Sequence, residues 1–380
     1  MKKLLILLLA LSILVFAFGC DSKKASKNTS SPASTEEASK SDEKVPELTM
    51  SWGNELHTGI MNVATKKPEL FKETGVYFNP LSKDKFELLE NGKKIAILNF
   101  VPSKGGSETA NLMSQGHVDY GFGSNTAFLT AVDNGAKLKI AAPFQSDGIA
   151  LVFPPNTNLK NWDDIKKHIL DLKQPLKLGY HSPVSGPRIV IESVLKAQGL
   201  KVTENPSDTS ANVLLVDLKG SNNLLPSLTS KQVDAWVGPS HHPEAAEEKG
   251  LGEIALNLKD FPENGQWNDF PCCVFAATDK AINDYPEVTK AFTKLVAANA
   301  KYCTEHHGEV SKIMAEVIGV SEETINKCEI KYFTAPSENW YKGIEIYVEK
   351  LNEMDKFNGQ LKGLDFEKVK KLVFDFRFLE

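Results

Sequence analysis

LMSQGHVDYGFGSNTAFLTAVDNG, from Leu112 to Gly135, and SLTSKQVDAWVGPSHHPEAAEEKG, from Ser227 to Gly250, share one layout at a constant offset. Aligned without a gap, Val118-Asp119 falls on Val233-Asp234, Gly123 on Gly238 and Gly135 on Gly250. Each stretch reads as the end of a helix, a short apolar strand, a glycine-containing turn and a second helix. A βα unit used twice, about one small domain apart, implies two similar α/β lobes. A cleft between two lobes is the natural place for a ligand.

Outward from these stretches the same alternation continues. Leu48–Trp52 reads as a strand that ends at Gly53-Asn54, with a helical stretch expected from about Leu56. Asn91-Gly92, between apolar-rich runs, is a strong hairpin signal. Ser107 opens a helix that closes near Gln115. Strands are expected at Val118–Phe122, Leu138–Pro143, Leu176–Tyr180, Val213–Leu218 and Cys273–Ala277. Helices are expected from Asn125, Asn161 and Pro187, and through most of the chain after Ala281. Strands alternating with helices point to doubly wound, parallel sheets. The expected organisation is a two-lobed α/β fold. Residues 47–148 plus 275–380 form lobe 1 and 152–253 form lobe 2, with crossings at 145–152 and 254–275.

The N-terminus carries a different signal. Lys2 and Lys3 precede an apolar run from Leu4 to Phe18, broken by Ser12. That run is short for a membrane span and has the form of an export signal over 1–19. It ends Ala17-Phe18-Gly19-Cys20, which resembles a lipobox with Ala17 where Leu is usual, so Cys20 is the expected lipidation site. Residues 20–46, rich in Ser, Lys and Glu, read as a disordered tether, because such a composition buries too little apolar surface to order itself. The formal charge of −5 offers no polybasic footprint for nucleic acid.

In its order of motifs the chain resembles extracytoplasmic solute-binding proteins of ABC importers, most closely the nitrate/sulfonate/taurine branch with its thiamine-precursor binders. The resemblance spans about residues 47 to 350. It rests on Gly116-x-Val118-Asp119 with Ala131-x-x-x-Gly135, on Asn161-Trp162-x-Asp164-Ile165, and on Gln232-Val233-Asp234-Ala235, where Lys231-Gln232 stands in place of the usual Gly. Asp284-Tyr285-Pro286-Glu287-Val288 completes the set. The resemblance implies a periplasmic-binding-protein type II fold with additional C-terminal helices. It also implies a lipid-tethered, monomeric receptor that closes on one small molecule and passes it to permease and ATPase subunits. No cofactor and no catalytic step are implied.

In open α/β sheets ligands sit beyond the carboxyl ends of the strands, where helix N-termini favour anions. The candidate ligand contacts are therefore Asn54, His57, Lys104, Ser107, Asn125, Tyr180, Ser182, Ser185, Arg188, Ser240, His241 and Cys272. Several of these Ser and Asn residues read equally well as plain helix caps. Arg188 follows Pro187 in a first helical turn, where a guanidinium forks onto an oxoanion or simply meets solvent. Lys219 is a weaker candidate. His241 or His242 could join Cys272 at a metal, although no CxxC or HExxH spacing is present. Cys272-Cys273 reads as a vicinal disulfide, buried thiols or a ligand contact, and Cys303 and Cys328 as a potential pair. Trp52, Trp236 and Phe144 are cleft-wall or core residues. The ligand expected is a small anionic or polar organic molecule: a sulfonate, a nitrogen oxyanion or a heteroaromatic precursor. The alternatives are a metal or metal-chelate receptor or sensor, and an enzyme of the thiamine-precursor type on the same fold.

Overall fold

The protein is described from a computed structural model over residues 44–379. The expected export signal, Cys20 and most of the expected tether lie outside that range. Among the described residues no helix is long and apolar enough to cross a membrane.

The chain opens with β1 (Glu47–Gly53), α1 (Met61–Lys66), β2 (Val76–Ser82), β3 (Lys85–Glu90) and β4 (Lys93–Ser103). Asn91 and Gly92 form the two-residue turn between β3 and β4, both with left-handed φ of 49° and 80°, as a type I′ hairpin requires. There follow α2 (Gly106–Ser114), β5 (Tyr120–Ser124), α3 (Asn125–Asp133) and β6 (Leu138–Asp147). After Gly148 the chain enters a second sheet through β7 (Ile149–Phe153), α4 (Trp162–Asp171), β8 (Leu176–Tyr180), α5 (Gly186–Ala197), β9 (Val202–Thr203) and β10 (Val213–Asp217). That sheet continues with α6 (Leu224–Thr229), β11 (Ala235–Pro239), α7 (His242–Glu248) and β12 (Glu253–Asn257). β13 (Pro271–Thr278) returns to the first sheet. The remainder is α8 (Asp279–Asp284), α9 (Pro286–Glu305), α10 (His307–Ile318), α11 (Glu322–Asn326), the edge strand β14 (Ile330–Tyr332), α12 (Glu338–Glu353) and α13 (Phe366–Val373).

The first sheet has the order β14-β6-β13-β5-β1-β4-β3-β2 and the second β12-β7-β11-β8-β10-β9. The centres are parallel: β4-β1-β5 in the first and β11-β8-β10-β9 in the second. The sheets are mixed rather than wholly parallel, because β13 and β7 each run antiparallel to their neighbours. Both strands enter from the other sheet, so no crossover helix imposes a parallel direction on them.

The repeated sequence has one structural meaning in both places. Asp119 accepts a hydrogen bond from Thr49 N at 2.9 Å, and Asp234 accepts one from Lys177 N at 2.9 Å. Each aspartate thereby pins the start of the parallel neighbour of its own strand, β1 for β5 and β8 for β11. Gly135 and Gly250 take left-handed φ at the ends of α3 and α7, where a helix C-cap favours glycine. Lys231, which stands where the first copy has Gly116, also adopts positive φ.

Tyr120, Phe122, Phe144, Phe275 and Phe292 pack together on the first sheet. Trp52 and Trp236 are fully buried, as is Phe144, so all three are core residues and do not wall the cleft. Helix α12 packs on both α3 and α5 and so touches helices that flank both sheets. Asp133, at the end of α3, accepts backbone N–H bonds from Asn358, Gly359 and Leu361 at 2.8–2.9 Å. It anchors the loop between α12 and α13. Cys303 and Cys328 are free thiols; the expected pairing is absent, Cys303 lying in the aromatic and aliphatic core and Cys328 hydrogen-bonded to Thr324 O.

Candidate functional site

The loops after the parallel strands of both sheets converge. Glu55 follows β1, Lys104–Glu108 follow β4, His181–Pro183 follow β8, Asp217 ends β10 and Lys219–Ser221 follow it; together they line a cavity of about 320 Å³. Deeper lies a pocket of about 30 Å³, lined by Glu55, His57, Ser107, Ser124, His181, Ser185, Gly186, Cys272 and Cys273 among others. Ser107 and His181 border both spaces. The two sides touch across them through Ser182 Oγ–Ser107 Oγ at 3.1 Å and Thr126 Oγ1–Val184 O at 2.6 Å.

Local sequence explains how these groups arrive. A Cβ on Gly106 would stand 2.5 Å from Gly123 Cα, and one on Gly123 would stand 2.5 Å from Gly106 O. Only a glycine pair lets the start of α2 lie against the end of β5, which carries Ser107 and Ser124 to the same pocket. The helix expected from Leu56 starts only at Met61. Instead Thr58 bonds Glu55 Oε1 and accepts from Gly53 N, holding residues 55–60 as turns with His57 turned inward. Adjacent residues of a strand face opposite ways, so Cys272 and Cys273 ought to diverge. Register shifts on either side of Cys273 break that alternation, as bulges do, and both thiols reach the pocket.

His57 is the centre of the arrangement. Its Nε2 lies 2.8 Å from Gly148 O, and because a carbonyl only accepts, Nε2 carries the proton. Nδ1 lies 3.3 Å from Cys272 Sγ. Burial opposes charge on this ring, but the Cys272 thiol and Glu55 beside it hold its pKa above the usual histidine value. The hydrogen bond from Cys273 and the neighbouring imidazole, against the cost of burial, bring the Cys272 pKa down to about 5. Burial and the adjacent Cys272 push the Cys273 thiol up. Burial raises the Glu55 carboxyl, and burial with the nearby His57 brings His181 and His241 down to about 4. Cys272 and His57 thus each favour the other's charged form, among neighbours whose burial favours neutrality.

The structure separates the sequence candidates. His57, Ser107, Ser185 and Cys272 line the inner pocket, and Lys104, Ser107 and Ser182 line the outer cavity. Asn125 is buried and donates to Cys272 O at 3.0 Å, supporting the strand behind the pocket. Asn54 is exposed and borders neither space. Ser240 bonds Glu244 at 2.7 Å and borders a separate cavity of about 490 Å³ beside Gly148. His241 is buried against the His242 ring; the histidine that meets Cys272 is His57 instead. Arg188 requires a correction. Its guanidinium is buried, paired with Glu192 and, at 2.7 Å, with Glu204, and lies over the Tyr180 ring. The Tyr180 hydroxyl donates to the same Glu204 at 3.1 Å. Arg188 and Tyr180 thus serve an internal ion-pair network, and no fork is left for an anion. The two adjacent thiols are 3.8 Å apart and free, so the vicinal disulfide reading also falls.

Sequence reasoning missed Asp217, at the end of β10, and Gly220 and Ser221 in the loop after it. A glycine two residues beyond the strand-like run Val213–Leu218 was the available signal.

Compared with known proteins, residues 41–319 match the NMT1-like family. "Uncharacterized protein MJ1180" of Methanocaldococcus jannaschii is 29% identical over 157 residues, 40% of this chain and 96% of that protein. Among solved structures, the periplasmic nitrate-binding protein NrtA of Synechocystis PCC 6803 superposes with a TM-score of 0.66, at 14% identity, over 88% of each chain. The alkanesulfonate-binding protein SsuA of Xanthomonas axonopodis pv. citri, bound to MOPS, gives 0.64 at 13% identity, over 87% of this chain and 99% of that one. The zinc-bound ligand-binding component of an ABC-type import system from Staphylococcus aureus gives 0.64 at 11% identity, over 88% and 97%. These likenesses carry the fold, which is the periplasmic-binding-protein architecture that the sequence resemblance implied. The chain belongs to the NMT1-like family.

Proposed function

We propose that the protein is the solute-capturing component of an ABC import system. It holds a small polar or anionic organic molecule between its two lobes and is tethered outside the cytoplasm through a lipid on Cys20. The observation that carries this reading is the convergence of loops from the carboxyl ends of parallel strands of both sheets on one cavity of about 320 Å³. That volume suits a small molecule. Helices α2, α3 and α5 begin beside the inner pocket, which Gly106, the α3 cap residue Ser124 and Gly186 line, and their amide dipoles favour a negative or polar group there. Lys104 and Lys219 add positive charge at the mouth, and Glu55, Glu108 and Asp217 add hydrogen-bond acceptors. Ligand contacting both lobes stabilises their closed arrangement, which is how a hinge binder works.

The test is a thermal-shift panel of alkanesulfonates, nitrogen oxyanions and pyrimidine precursors on the purified protein. A true ligand at 100 times its Kd adds about 2.7 kcal/mol of stability. Ser107→Phe, which fills the point shared by both spaces, should abolish the shift while the ligand-free melting point stays near that of the parent. A panel with no shift, and scattering profiles unchanged by every member, would refute the reading.

A further inference from the structure

Three buried donors meet at the floor of the inner pocket from distant parts of the chain. His57, Cys272 and Cys273 each offer a ligand atom, and all three atoms lie within 4.8 Å of one another. Their spacing has a specific form. A tetrahedral zinc-type ion with bonds of about 2.3 Å to sulfur and about 2.0–2.1 Å to nitrogen demands an S···S edge of about 3.8 Å and an S···N edge of about 3.5 Å. The Sγ–Sγ separation is 3.8 Å and Nδ1 to Cys272 Sγ is 3.3 Å. The bond from His57 Nε2–H to Gly148 O fixes the ring tautomer and leaves Nδ1 as the metal-facing nitrogen, the outer-shell pattern of metal-binding histidines. Asn125 holds the Cys272 peptide from behind. The register shifts on either side of Cys273 bring both thiols to the same pocket.

We propose that His57, Cys272 and Cys273 bind one thiophilic metal ion of the zinc class through Nδ1 and two thiolates, with a fourth coordination position facing the pocket. Two protons leave on binding, that of the Cys273 thiol and the one held between Cys272 and His57. Imidazole with paired thiolate is a soft-to-borderline donor set that disfavours magnesium and calcium. Three protein ligands with one open position is the arrangement that accepts an exchangeable fourth ligand. The pocket of about 30 Å³ beside them has room for one water or one donor atom of a larger molecule. The site stands on these side chains alone, so its test is independent of the solute reading.

The experiment is titration of the reduced full chain with Co2+, then displacement by Zn2+ and competition with a chromogenic chelator. One equivalent of Co2+ should give a sulfur-to-metal charge-transfer band with the visible absorption of a tetrahedral site, and one equivalent of Zn2+ should abolish it. Cys272→Ser, Cys273→Ser and His57→Ala should each weaken binding by more than the about 10- to 100-fold that loss of an outer-shell partner costs. Cys303→Ser and Cys328→Ser should keep full binding. Zinc X-ray absorption of the parent protein should show two sulfur scatterers at about 2.3 Å, a readout that does not depend on any variant folding. A protein with no charge-transfer band at one equivalent, a band that survives loss of both Cys272 and Cys273, or a zinc shell of nitrogen and oxygen alone would overturn the proposal.

Discussion

Arg188→Met tests the claim that the sole arginine near the cleft is structural. The side chain is 1% exposed, and it neutralises Glu192, itself 6% exposed, while reaching the half-exposed Glu204. Removing one partner of a buried ion pair costs about 3–5 kcal/mol, because the remaining charge stays buried. Here Lys196 also contacts Glu192 at 2.6 Å and shares the load, and Glu204 has water. The expected loss is therefore at the low end, about 3 kcal/mol. For a chain of this size that lowers the melting point by about 4 °C. The double variant Arg188→Met/Glu192→Leu removes the orphaned carboxylate together with its partner. It should recover most of the loss, since apolar replacement of a whole buried pair is often neutral or stabilising. Urea unfolding of the parent, both single variants and the double variant closes the cycle, with a coupling of at least about 1 kcal/mol expected for groups in direct contact. Unchanged stability in Arg188→Met, combined with loss of a solute's thermal shift, would show that the guanidinium serves the ligand and would refute the reasoning.

Three further outcomes follow from the geometry. Asp133→Ala strips three backbone N–H groups of their shared acceptor; it should cost about 2–4 kcal/mol, and limited proteolysis should cut first within residues 355–364. Gly106→Ala forces a methyl group onto Gly123 Cα at 2.5 Å, backbone that cannot yield; a loss of about 2–4 kcal/mol in urea unfolding is expected, and a parent-like midpoint would disprove the close packing. His241, held near 4 by burial, binds fewer protons folded than unfolded, so in metal-free protein it lowers stability as pH falls from about 6.5 toward 4. His241→Gln should remove about one proton's worth of that slope, up to about 1.4 kcal/mol per pH unit, and an unchanged slope would mean that the ring is charged in the fold.

The sequence announced the architecture through local signals. The two Val-Asp stretches, Asn91-Gly92 and the Asn161 cap all act within a few residues, and each formed the element expected of it. The loops that line the cavity of about 320 Å³ were legible as well, because strand direction decides which end of a sheet is open. The failures were failures of distance. Arg188 was misread because Glu204 meets it through the fold, and no periodicity reveals which way a helical residue points when its partner sits in a loop. His57 and Cys272 are separated by 215 positions, and their meeting depends on a turn at 55–60 and a bulge in β13. Residue patterns did not encode either irregularity.

Gly148 is the peptide at which the backbone leaves one sheet for the other, and its carbonyl is held by the same imidazole that faces the two thiols. A pull on that ring toward the sulfurs is therefore also a pull on the crossing between the two sheets. If the lobes close on a solute as proposed, the occupant of the thiol pocket and the bend of the chain are joined through this one side chain.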